Sequence, residues 1–84
     1  MVNMMQKIKK SEARVGDWAI TKNVKFWMES IDEIEEIGER IDDSSGKNVK
    51  VIIACGGVYR YDDGIGINKS KGRKIVEFER GKLF

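Results

Sequence analysis

The spacing of four isoleucines constrains the fold of this chain more than any other sequence feature. They are Ile31, Ile34, Ile37 and Ile41. Intervals of three and four residues place apolar side chains on one face of an α-helix. Ser30 followed by Glu33 has the spacing of a capping box, which marks a helix start, and the run 42–46 is rich in turn-forming residues. The pattern predicts an amphipathic helix between these two points.

The segments before and after this helix are rich in β-branched and aromatic residues, which favour strands. We predict a hairpin before the helix, with its turn at Lys22 and Asn23, and a central strand over residues 49–55, the most apolar run in the chain. That run lacks alternation, which indicates a strand buried on both faces. The predicted strands are 15–21, 24–28, 49–55, 58–61 and 74–80, and the runs 58–61 and 65–67 flank an Asp-Gly hairpin turn.

The predicted order of elements is therefore ββ-α-βββ, an α+β fold in which one amphipathic helix packs on a small antiparallel sheet of about five short strands. The alternative is a small SH3-like or OB-like β-barrel with a helical insertion. A chain of 84 residues has room for one hydrophobic core, so we expect a single domain over residues 1–84. Residues 1–12 are expected to form a flexible arm or a short helix.

The absence of histidine excludes most familiar catalytic designs. The chain has no histidine and a single cysteine, Cys55, so it lacks the usual general base, the commonest zinc ligand and the partner for a disulfide within the chain. Cys55 ends an apolar run, and we expect it to be a buried small hydrophobe. The sequence predicts a non-enzymatic protein without a cofactor or metal, and the cytoplasm as its compartment, since no secretory signal or membrane span is evident.

Charge is distributed unevenly along the chain. Residues 29–46 hold eight acidic side chains and one basic one, while the flanking segments carry net charges of +4 and +5. An acidic helix face with an exposed tryptophan beside it is typical of a protein-binding surface. We therefore expect an adaptor, inhibitor or accessory subunit that engages a larger protein, in one version by imitating a nucleic-acid backbone; self-association is a further option, and a membrane partner is not expected. The predicted contact residues are Trp27, Glu29, Asp32, Glu33, Glu35, Glu36 and Glu39.

The two basic segments support a second hypothesis, a nucleic-acid-binding domain. Residues 69–74 contain four cations around a glycine, and a basic loop of this kind can follow a phosphate backbone. Two tyrosines that are two residues apart share one strand face and could stack on bases. The predicted contacts are Lys69, Lys71, Arg73, Lys74, Tyr59 and Tyr61, together with Lys7, Lys9 and Lys10 of the basic N-terminus.

Overall fold

The protein is an open, six-stranded antiparallel sheet. The computed structural model describes residues 5–82. The strands are β1 (Gln6–Ile8), β2 (Trp18–Asn23), β3 (Glu29–Asp42), β4 (Lys47–Ala54), β5 (Gly57–Arg60) and β6 (Arg73–Arg80). They lie in the order β1-β6-β2-β3-β4-β5, and two single turns of 3-10 helix, Lys10–Glu12 and Asn68–Ser70, lie in the connections.

The predicted α+β fold is wrong, because residues 5–82 contain no α-helix. The segment predicted to be helical is β3, a strand of 14 residues. Its first part pairs with β2, where Ile31 lies opposite Ile20, and its second part pairs with β4, where Ile37 lies opposite Ile52. β-Branched isoleucine favours strands, and the strand allows Ile34 and Ile37 to pack with the core formed by the other strands.

A β-bulge explains why the isoleucine spacing imitates a helix. The register between β3 and β4 shifts between Ile34 and Glu36, so one extra residue is inserted and the alternation of the strand changes phase. Ile34 and Ile37 therefore contact the same core although they are three residues apart. Ile31 lies on the opposite face, and Ile41 is 54% exposed near the end of the hairpin. The four side chains thus do not form one stripe.

The barrel alternative is also wrong, because no continuous ladder within residues 5–82 closes the sheet. Residues 64–67 approach β5 and β6 only through two isolated bridges, Tyr59 with Gly66 and Ile65 with Lys74. Residues 24–28, predicted as a strand, form the turn between β2 and β3 instead. The N-terminal segment forms β1 and a 3-10 turn where an arm or a helix was predicted, and residues 1–4 lie outside the described part of the chain.

Three strand predictions are confirmed, and one of them, the strand predicted over residues 58–61, is β5 (Gly57–Arg60). β4 covers most of the apolar run 49–55, and its adjacent residues Val51 and Ile52 are both fully buried, as expected of a strand covered on both faces. β6 covers residues 73–80. The main core lies on one face of the sheet, which we call the inner face, and consists of Ala13, Ala19, Ile34, Ile52, Ala54, Tyr59, Ile75 and Phe78.

A buried carboxylate joins the start of β2 to the end of β6. Asp17 is 7% exposed and accepts two hydrogen bonds of 2.9 Å from the Arg80 guanidinium and one of 2.8 Å from the Arg14 backbone. Hydrogen bonding by Arg80 lowers the pKa of Asp17 in spite of its burial, which acts in the opposite direction. The charged form is therefore favoured in the folded state.

We expect this clamp to contribute acid-sensitive stability. A carboxylate with a lowered folded pKa stabilises the fold at neutral pH, and that contribution is lost as pH falls below the ordinary aspartate range. Asp17→Asn should lower the free energy of unfolding at pH 7 by about 1–2 kcal/mol. Thermal unfolding between neutral and acidic pH should show that the variant loses less stability on acidification than the parent protein, and an equal loss would contradict the assignment.

Gly66 marks the tightest backbone approach near the β5 edge. A Cβ at Gly66 would meet the carbonyl oxygen of Ser70 directly and that of Arg73 at 2.8 Å, whereas a Cβ at Gly38 would meet only the Glu36 side chain, whose end can turn aside. Gly66→Ala should therefore cost about 2–3 kcal/mol of stability. The matched variant Gly38→Ala should change stability by less than about 1 kcal/mol. Denaturant unfolding of both variants measures the difference. Similar losses in the free energy of unfolding would show that the segment 64–67 can shift to accommodate a Cβ and would contradict this prediction.

Candidate functional site

The acidic residues predicted to share a helix face are distributed over both faces of β3. Glu29 and Glu33 lie opposite Lys22 and Trp18 on the outer face of the sheet. Asp32 lies on the inner face, where its carboxylate accepts a 2.8 Å hydrogen bond from the hydroxyl of the buried Thr21. A single acidic docking surface on this element is therefore not formed.

The remaining acidic residues of β3 have local structural partners. The carboxylate of Glu35, at the bulge, accepts a 2.7 Å hydrogen bond from the Gly56 backbone. Glu36 forms an ion pair with Arg40 at 3.0 Å, and the carboxylate of Glu39 accepts a short hydrogen bond from Asn48. These three carboxylates are engaged in holding the β3–β4 hairpin and its surroundings.

An acidic groove nevertheless lies on the outer face, across β3, β2 and β6. It has a volume of about 360 Å³ and is lined by Ile20, Glu29, Ser30, Ile31, Glu77 and Glu79. Glu77 and Glu79 were missed by the sequence analysis because they lie more than forty residues from Ile31 along the chain. Only the pairing of β2 with both β3 and β6 brings them beside it.

Neither tyrosine of the predicted nucleic-acid site is free to stack on a base. Tyr59 is 2% exposed and belongs to the core. Tyr61 is partly buried against that core, and its ring lies 3.9 Å from the Lys50 ammonium and 5.2 Å from that of Lys10. Both side chains have structural roles.

The two basic segments lie apart. Lys7 is opposite Glu79 and forms a 3.0 Å ion pair with Glu77. From Glu79 to Arg73 is six residues along β6, about 20 Å of extended strand. Lys10 donates a hydrogen bond to the backbone of Asp62. The N-terminal lysines therefore do not extend the surface formed by residues 69–74.

Residues 69–74 lie instead beside the turn between β2 and β3. The Val24 amide donates a 2.8 Å hydrogen bond to the Gly72 carbonyl, and Asn23 and Lys22 pair with Arg73 and Lys74. This register collects cations and exposed apolar side chains at one end of the sheet. We call this surface the basic–aromatic end; it consists of Lys22, Lys25, Phe26, Trp27, Met28, Lys69, Lys71, Arg73 and Lys74.

The aromatic side chains of this end project into solvent. Trp27 is 71% exposed, Phe26 64% and Met28 68%. Neither Phe26 nor Trp27 therefore belongs to the core. The Lys22 ammonium lies 3.9 Å from the centre of the Trp27 ring, and the Lys25 ammonium lies 5.5 Å from that of Phe26. Each of the two rings thus has a lysine ammonium close to it.

Asn23 holds the turn in shape. Its side-chain carbonyl accepts hydrogen bonds from the Lys25 and Phe26 amides at 2.9 and 3.0 Å. Its backbone accepts from the Trp27 amide and donates to the Met28 carbonyl, both at 2.8 Å. An asparagine that binds the backbone two and three residues ahead is typical of a compact turn. The exposed rings are therefore presented by a defined loop.

The positive charges of the basic–aromatic end are not neutralised by ion pairs within residues 5–82. Among residues 5–82, none of its cations lies within 4.0 Å of a carboxylate. Lys69, Lys71 and Lys74 are exposed. Arg73 is partly buried and donates a 2.8 Å hydrogen bond to the Thr21 hydroxyl, which in turn donates to Asp32. The lysines are available to a ligand, whereas Arg73 also fixes the strand start.

Lys22, Lys25, Phe26 and Met28 were not predicted as site residues. The signal was present as two lysines followed by two adjacent aromatics over residues 22–28, with a turn-forming asparagine near the start. The aromatic content instead favoured a strand. Cys55 also differs from the prediction, since it is exposed in the turn between β4 and β5 with φ +49°.

The Asn23 side chain should contribute measurably to stability. Asn23→Ala removes the acceptor of two backbone hydrogen bonds and should lower the free energy of unfolding by about 1 kcal/mol. Asn23→Asp retains a suitable acceptor and serves as the control. Urea unfolding of the two variants tests the role, and equal destabilisation by both would show that the acceptor is not what matters.

A metal cluster and a membrane-spanning helix are not found in the described part of the chain. No three His, Cys, Asp or Glu side chains within residues 5–82 are grouped so that they could hold a metal ion. No helix in that range is long and apolar enough to cross a membrane. No family model matches this sequence, and no curated protein or solved structure matches it either.

Proposed function

We propose that this protein is a non-enzymatic nucleic-acid-binding module and that the basic–aromatic end is its contact surface. The observation that carries the proposal is the register of β2 with β6, which places the cationic segment 69–74 directly against the exposed aromatic turn 24–28. A nucleic acid presents phosphates, which bind cations, and bases, which stack on aromatic rings; this end offers cations and flat apolar rings side by side.

A pair of like charges supports this assignment. Lys22 and Lys74 lie directly opposite each other on adjacent strands, an arrangement that destabilises a sheet. Glu29 is the neighbour of Lys22 on the other side and offsets part of the repulsion. A bound phosphate would relieve the remainder, so the pair is better explained by a polyanionic ligand than by folding.

The cytoplasm is the compartment we propose. Nucleic acids are accessible there, and the exposed thiol of Cys55 would remain reduced.

Salt dependence and lysine substitution test the proposal. A labelled random-sequence oligonucleotide should bind with an affinity that falls by an order of magnitude or more between about 50 and about 200 mM salt, if about four phosphates are contacted. Lys71→Ala/Lys74→Ala should weaken binding about tenfold and reduce the salt slope by about two. Fluorescence anisotropy measures both effects.

Lys9→Ala is the matched control, because Lys9 is exposed but lies beside β1, away from the basic–aromatic end. It should leave the affinity within about twofold of the parent protein. Equal losses in the control and in the double variant would place the contact elsewhere, and absence of binding at low salt would overturn the proposal.

The outer groove favours a second candidate, the binding of a protein with a basic surface. Its floor is apolar, since Ile20 and Ile31 are opposite each other, and Glu29, Glu77 and Glu79 line it. An adaptor, inhibitor or accessory subunit could use this groove. Binding of a lysine-rich peptide that weakens in Glu29→Gln/Glu79→Gln but not in Glu39→Gln would support this candidate, and unchanged binding in the first variant would exclude the groove.

A further inference from the structure

We infer that the nucleic acid bound at the basic–aromatic end is single-stranded, with Trp27 and Phe26 as the platform on which unpaired bases stack. The inference rests on the proposed function and adds the class of nucleic acid and the two stacking residues, neither of which the sequence analysis assigned to this role.

The exposure of the rings supplies the first argument. Trp27 and Phe26 are 71% and 64% exposed, so most of their apolar surface receives no benefit from folding. The Lys22 ammonium lies over one face of the Trp27 ring, 3.9 Å from its centre, while 71% of the residue's surface is exposed. A base can stack on what remains, and the ammonium is then close enough to the ring to meet the phosphate of the same nucleotide.

The backbone of Trp27 supplies the second argument. Its φ is +60°, a left-handed conformation that is unusual for a bulky residue and that glycine or asparagine adopts more readily. The side chain is not buried, so packing does not offset this local strain. Strained residues of this kind are concentrated at sites where the side chain serves a ligand.

The preference for a single-stranded over a double-stranded ligand follows from the accessibility of the base faces. In a duplex the base faces are already stacked, and a projecting ring reaches them only by unstacking a step at a cost of a few kcal/mol. In a single strand the faces are available, and stacking on an aromatic ring adds binding free energy without sequence preference. The cations can bind the phosphates of either ligand, whereas the rings can stack only on the accessible bases of a single strand.

The test compares single- and double-stranded oligonucleotides of the same length and label. Single-stranded thymidine oligonucleotide should bind at least tenfold more tightly than the duplex. Trp18→Phe leaves Trp27 as the sole indole, and its fluorescence should be quenched on addition of the single strand. Anisotropy on the parent protein gives the same comparison of affinities if Trp18→Phe does not fold.

Trp27→Gly separates stacking from folding. Glycine accepts φ +60° without strain, so the variant should unfold at a temperature equal to or above that of the parent protein, yet lose about tenfold in single-strand affinity with little change for the duplex. Trp27→Phe should retain most of the affinity because a ring is kept. Val15→Ala, a truncation of another exposed apolar side chain, should change neither affinity.

The outcomes distinguish this inference from the proposed function. Equal binding of single and double strands, with no effect of Trp27→Gly, would overturn stacking and leave nucleic-acid binding intact. Tighter binding of the duplex would overturn the inference in favour of insertion into a groove. Binding of neither oligonucleotide, with binding of anionic phospholipid vesicles instead, would overturn both.

Discussion

The structure depends on one strand that changes partners along its length. β3 pairs with β2 up to Glu33 and with β4 from Ile34 onward, and the change occurs where Ile34 exchanges backbone hydrogen bonds with Gly16 and Asp17 at 2.9 and 2.8 Å. The bulge that follows shifts the alternation of side chains by one residue. Without that shift Ile37 would face away from the core that Ile34 enters.

The same strand also determines where the candidate site forms. Because β3 and β6 flank β2 on opposite sides, the turn that leads into β3 must lie next to the chain that enters β6. The hydrogen bond from Val24 to Gly72 is the direct result. The basic–aromatic end is therefore a consequence of sheet order. Asn23 shapes the turn, and Arg73, at the start of β6, donates a hydrogen bond to Thr21 of the adjacent strand β2.

Sequence patterns predicted the elements whose determinants are local. The apolar run of β4 and the alternation of β6 depend on neighbouring residues alone, and both strands were found. β3 was missed because its bulge converts a period of two into a spacing of three, and because its two partners lie elsewhere in the chain. The site was predicted in separate pieces for the same reason: Trp27 was assigned to a protein partner and Lys71 and Lys74 to nucleic acid, and only the strand register shows that they are neighbours.

The acidic groove limits where a polyanion can lie on this protein. Glu77 and Glu79 are three and five residues from Lys74 along β6, about 10–17 Å of strand. The Debye length at physiological ionic strength is about 8 Å, so these two carboxylates are largely screened from Lys74, whereas Glu29, directly opposite Lys22, offsets part of the positive charge of the basic end. The groove repels phosphates that approach from β1 and the far end of β6. Under the proposed function, this charge distribution would direct a nucleic acid to the turn and away from the outer face, and would confine its footprint to the few nucleotides that the rings and the neighbouring lysines can reach.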